Sequence, residues 1–201
     1  MILHAPTEQE KFIAKKLDFE PHTSTTVNID GTIMLLEDLR LKSAQGHIKS
    51  NRERPTTIIA RVPTLSIFGG LSNQKIASMQ YSITRDNYMK ISPSKGFIEP
   101  ELFSAMLKYA ETSAWSNDIN GMVFSSDLNY LNSAVAKELY KLDYHTGTML
   151  EDVFETEVQI IKHRVTPTLF KSDFVELYKQ AGGRITKKIK NLSNEESSER
   201  S

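Results

Sequence analysis

Three groups of side chains in this sequence have types and spacings that could do chemistry. Tyr140 lies in the stretch 131–142, where Leu131, Val135, Leu139 and Leu142 recur at helical spacing, and a tyrosine hydroxyl placed there could protonate a leaving group. Its simpler role is that of a half-buried aromatic on an amphipathic helix. Glu99 precedes Pro100, and Asp86 lies in Arg85-Asp86-Asn87; either carboxylate could act as a general base. Each is equally at home as a first-turn helix acid or a turn residue. Ser125-Ser126 and Asn132 follow a short apolar run and could bond a polar ligand or cap the next helix.

Other chemistries are excluded by what the sequence lacks. There is no cysteine, which removes disulfides, thiolate zinc sites, iron-sulfur clusters and cysteine nucleophiles, and agrees with a cytoplasmic setting. The histidines His4, His22, His47, His145 and His163 have no ligand-like spacing, so no metal site is expected. No Gly-x-Ser-x-Gly elbow or Walker-type phosphate loop occurs. Lys plus Arg equals Asp plus Glu at 25 each, so no overall field draws the chain to nucleic acid or an acidic membrane. The basic cluster Arg184, Lys187, Lys188 and Lys190 is nearly neutralised by Glu195, Glu196 and Glu199, and nucleic acid is not expected as a partner.

These residues need a scaffold, and composition is adequate for one. The 201 residues are 39% hydrophobic and 25% charged, the range of a globular domain. Apolar runs reach four or five residues, as in Ile33 to Leu36, against about 20 for a membrane-spanning helix. The opening MILHAPTEQEKF lacks the basic flank and apolar stretch of a secretory signal. One domain is expected over residues 1–183, followed by a flexible charged tail over 184–201.

Thr7 and Glu10 form a capping box ahead of Phe12, Ile13 and Leu17, predicting a helix over 8–17. Asp30-Gly31 followed by Ile33, Met34, Leu35, Leu36, Leu39 and Leu41 predicts a second helix ending near Gly46. Residues 57–62, 76–84 and 88–91 then read as strands, the last two joined at Arg85-Asp86-Asn87, with 63–73 as a loop. Pro100 opens the longest helix, with Leu102, Met106, Tyr109 and Ser113 on one face. A strand at 122–125, a helix at 131–142, strands at 144–149 and 155–163 and a late helix at 171–181 complete the order. The unit from 87 to 125 is strand-helix-strand, so its two strands are expected to be parallel.

The stretch Asn120 to Tyr144, NGMVFSSDLNYLNSAVAKELYKLDY, resembles the second half of the GNAT N-acyltransferase superfamily, with Asn132 and Lys141-Leu142-Asp143-Tyr144 carrying the likeness. The resemblance implies an α/β fold: a GNAT-like mixed sheet with a parallel central strand pair, flanking helices and two N-terminal helices. It implies an acyl-CoA-dependent N-acyltransferase that takes acetyl-CoA or another acyl-CoA, with a small-molecule or protein amine as acceptor. Ile91, Ser92, Lys95, Gly96, Phe97 and Asn132 would then contact the cofactor, where two parallel strands splay and a helix N-terminus receives phosphate. Glu99 and Tyr140 would move protons. In the register that matches Asn132 and Lys141, Leu139 stands where many members place a tyrosine, Tyr140 comes one residue later, and Asp143 replaces a glycine. Glu99 and Glu101 bring carboxylates to the phosphate position; at about 6 Å each would oppose a phosphate charge by roughly 3 kcal/mol. The alternative is a GNAT-like interaction or assembly protein without catalysis.

Overall fold

Asp30 and Gly31 have φ of 48° and 77°, and the chain doubles back there instead of entering a helix. β1 (Ser24–Ile29) and β2 (Thr32–Asp38) run antiparallel, with Ile29 opposite Thr32. A two-residue hairpin turn of this hand needs positive φ at both positions, which Asp-Gly supplies at little steric cost. The helix expected over 33–46 is therefore a strand through Asp38, with Leu39 after it in helical conformation. The physical reason is burial on both sides. Leu35 packs into one apolar cluster and Leu36 into another, and a short apolar run of that kind carries no periodicity that separates strand from helix.

The structure, a computed structural model, describes residues 7–17, 24–39, 56–65, 71–92, 98–127, 133–147 and 157–182. Within them one helix precedes the sheet, α1 (Glu8–Lys16), where two were expected. Its capping box is formed. Thr7 Oγ1 accepts from Glu10 N at 3.2 Å, and Glu10 Oε2 accepts from Thr7 N at 2.8 Å.

β3 (Thr56–Leu65), β4 (Leu71–Ile83), β5 (Tyr88–Ser92), β6 (Gly121–Asp127), β7 (His145–Gly147) and β8 (Glu157–Lys162) join the hairpin in one eight-stranded sheet, ordered β1-β2-β3-β4-β5-β6-β8-β7. β5 and β6 are parallel, from Tyr88 opposite Gly121 to Ile91 opposite Phe124, and every other neighbouring pair is antiparallel. This is the mixed sheet with a parallel central pair that the sequence led us to expect. The loop expected over 63–73 is shorter: Pro63 lies within β3, opposite Asn73, and what remains, 66–70, is outside the described residues. Gly121 is dictated by close approach, since a Cβ there would stand 2.3 Å from Lys162 O and 2.6 Å from Tyr88 Cε1.

α2 (Pro100–Ser116) links β5 to β6 and packs against α3 (Ala134–Lys141). Leu102, Phe103, Met106, Leu107, Tyr109 and Ala110 of α2 meet Met79, Tyr81, Met89, Ile91, Met122 and Phe124 of the sheet in the main core. α3 is capped by Ser133, whose Oγ accepts from Ala136 N at 3.1 Å. That corrects the cap reading for Asn132, which lies outside the described residues.

The late helix α4 spans 174–182 and is capped by Asp173, which accepts from Glu176 N at 3.1 Å. Before reaching it the chain crosses α2, with Phe170 edge-on to Tyr109 and Thr168 N donating to Thr112 Oγ1 at 2.9 Å. Ser172 then bonds Thr25 and Asp173 N bonds Thr26 Oγ1. Thr25 pairs with Leu36 and Thr26 with Leu35, residues of opposite faces, so the segment passes round the edge of β1. α4 ends up with α1 over Leu35, where Phe174 and Leu177 meet Ile13, Ala14 and Leu17. An edge covered in this way cannot template another strand along that length.

Candidate active site

Among the described residues the parallel ladder stops short of the end of β6. The last β5–β6 pair is Ile91 and Phe124, yet β6 continues through Ser125 and Ser126 to Asp127, paired there with Gln159, Val158 and Glu157 of β8. β5 adds only Ser92, which pairs with Gln80 of β4. On the β5 side of Ser125, Ser126 and Asp127, then, no strand is paired among the described residues. Backbone amides and carbonyls are obligatory bonding groups, and the positions that would continue this register opposite Ser126 and Asp127, 93 and 94, lie outside the described residues.

The start of α2 lies over this point. Phe103, in the first turn, packs against Phe124 with ring centroids 6.0 Å apart. Pro100 occupies the opening of the helix and Glu99 is the N-cap, with no side-chain cap hydrogen bond. Among the described residues the N–H groups of Glu101 and Leu102 have no side-chain acceptor, and unpaired groups of this kind favour an anion. Charge within the turn works against it, since Glu99 and Glu101 are both exposed there.

Of the residues singled out from sequence, Ile91, Ser92 and Glu99 gather at this end of the sheet. Ile91 is fully buried and in register with Phe124, so it closes the ladder, and any opening starts one residue later. Lys95, Gly96, Phe97 and Asn132 lie outside the described residues. Tyr140 is elsewhere. Its hydroxyl stands 3.4 Å from Thr146 Oγ1 on β7, and Thr146 is two strands from Phe124 through Ile160, about 10 Å at ordinary strand spacing. Leu139 is fully buried in the core, as its register predicts. Asp86 sits in the turn before β5, at the opposite end of the parallel pair, about 20 Å along the strand from Ser92; its carbonyl accepts from Asn120 Nδ2 at 3.0 Å. Among the described residues, no three His, Asp or Glu side chains group as a metal site.

Sequence reasoning missed two buried ionic clusters that lie away from the opening. Glu111 of α2 is 3% exposed and accepts from Lys162 Nζ at 2.8 Å and from Tyr144 Oη at 2.9 Å. Burial first, and the Glu111 charge second, push the Tyr144 phenol well above its usual range. Asp38 accepts from Tyr81 Oη at 2.6 Å, while its neighbour Glu37 pairs with Arg61 at 2.8 Å. Tyr109 is also raised, by burial and then by Asp38. Partners 51 and 43 residues apart leave no local pattern by which to find them.

No protein-family profile matches the chain, and no curated protein matches it. Among solved structures it is similar to the GNAT domain of S. lividans PAT, at 14% identity and TM-score 0.45 over 72% of this chain and 98% of that one. It is also similar to a protein from Klebsiella pneumoniae provisionally described as an acyl-CoA N-acyltransferase, at 13% identity and TM-score 0.42 over 64% and 96%. A third likeness is to a provisionally named streptothricin acetyltransferase from Bacillus anthracis in complex with acetyl coenzyme A, at 19% identity and TM-score 0.38 over 55% and 62%.

Proposed function

We propose that this chain binds an acyl-CoA at the opening beyond Ile91 and Phe124 and directs its acyl group to an amine. The observation that carries the reading is the early end of the parallel ladder, with β6 running on for three residues that face no strand on the β5 side among the described residues. When bound, an acyl-CoA supplies an activated thioester. Everything else falls to the chain. The main-chain groups of 125–127 stand in for a ladder and receive the amides of an extended arm. The first-turn N–H groups of α2, with Lys95 and Gly96 in the connection before it, offset phosphate charge.

An incoming ammonium must lose a proton, and Glu99, exposed at the start of α2, is the carboxylate we assign to it. The reading gives Tyr140 no part, because its hydroxyl faces Thr146 on the far side of β8.

Titration calorimetry with acetyl-CoA tests the proposal, and binding in the micromolar range is the expected result. Glu101→Gln should bind severalfold tighter, because a charge opposing phosphate is gone, while Glu99→Gln should lower acyl transfer to amines. Absence of heat at millimolar acetyl-CoA would overturn the reading and favour an interaction protein that uses the fold without catalysis.

A further inference from the structure

The α2 face of the sheet is filled at the last rung of the parallel pair. Phe103 comes down from α2 onto Phe124 with the two rings at 66°. Phe103 is 5% exposed, Phe124 1% and Ile91 0%, and Ile98, just before α2, packs partly buried against the same core. Alternation along the strands puts Ile91 and Phe124 on this face and Ser92 on the other. Interiors packed at this density have no slack for extra methylenes, and forcing them in displaces side chains and backbone.

We propose that Phe103 and Phe124 act as a stop that determines acyl length, admitting a group of acetyl size and shutting out hexanoyl and longer chains. The stop rests on the acyl-CoA reading above. It makes the aromatic pair a specificity element in addition to a piece of core.

Calorimetry on the full chain with CoA, acetyl-CoA and hexanoyl-CoA separates the two claims. The wild type should bind CoA and acetyl-CoA with similar affinity and hexanoyl-CoA about tenfold more weakly or worse. Phe103→Ala should narrow that gap by making room. Phe103→Leu, a smaller loss of volume, should narrow it partway and serves if the alanine variant does not fold. Equal affinity of the wild type for acetyl-CoA and hexanoyl-CoA would overturn the stop and leave the acyl-CoA reading standing. So would an unchanged gap in a variant shown by circular dichroism to be folded. Absence of heat with CoA itself would remove the acyl-CoA reading, and the stop with it.

Discussion

Glu111 shows how a charge can be kept inside an apolar core. It has two oxygens and two donors, Lys162 and Tyr144, and the Lys162 ammonium also lies 5.4 Å from the centre of the Tyr144 ring. Taking two ions out of water costs several kcal/mol, and mutual attraction offsets that only where geometry and further hydrogen bonds are good. Removing one partner is a different matter from removing both. Lys162→Met should destabilise the protein by about 3 to 5 kcal/mol, because it strands a buried carboxylate. Glu111→Gln combined with Lys162→Met keeps an acceptor for Tyr144 and removes both charges, so urea denaturation should find the double variant more stable than Lys162→Met alone. None of this was legible from sequence, since Glu111 reads as one more polar residue on an amphipathic helix until the sheet places Lys162 beneath it. Glu99 and Tyr140 were legible as residue types with suitable chemistry. Where each side chain is aimed depends on helix register and strand order, and there Leu139 took the inward position and Tyr140 the outward one.

At the scale of elements, the clearest case is Ile33. Continuing the β2–β3 register two pairs beyond Leu35 and Arg61 would set Ile33 against Pro63, which has no N–H to donate. The ladder stops, and the Gln180 carboxamide from α4 completes the rung: its Oε1 accepts from Ile33 N at 2.6 Å and its Nε2 donates to Ile33 O at 3.0 Å. Gln180→Ala should therefore destabilise the protein by about 1 to 3 kcal/mol, the range for leaving partly buried backbone groups unmatched. Hydrogen exchange should show the Ile33 amide losing protection in that variant. The parallel pair and the long helix could be read from sequence because alternation, a turn triplet and Pro100 all agreed. The β1–β2 hairpin could not, because its apolar run serves two cores at once and Asp30-Gly31 also suits a helix entrance. Pro63 and Gly69-Gly70 looked like loop; Pro63 is inside a strand whose missing bond comes from a side chain 117 positions later.

For the molecule as a whole, Tyr109 and Tyr144, two of the phenols buried in the main core, contribute to its response to alkali. Tyr109 and Tyr144 both release their protons well above the usual tyrosine range, chiefly because burial penalises the charged form. An unfolded chain gives up those protons near pH 10. Below that the two states hold the same protons at these sites, and the stabilisation is fully present. Above it the unfolded state is favoured by each proton that the native state retains, so stability falls as pH rises. Urea midpoints should therefore decline beyond about pH 10 from this source, and Tyr109→Phe or Tyr144→Phe should each flatten that decline.

The strap that rounds β1 also orders events in time. Thr25 meets Ser172 and Ile33 meets Gln180, in each case 147 residues further along the chain. At about 5 to 20 residues per second of synthesis, the early hairpin waits roughly 7 to 30 seconds for the segment that covers it. Through that interval the part of the Leu35 cluster that Phe174 and Leu177 cover faces water or a chaperone on the nascent chain, so any slowing of the ribosome between them prolongs the period of greatest risk of aggregation.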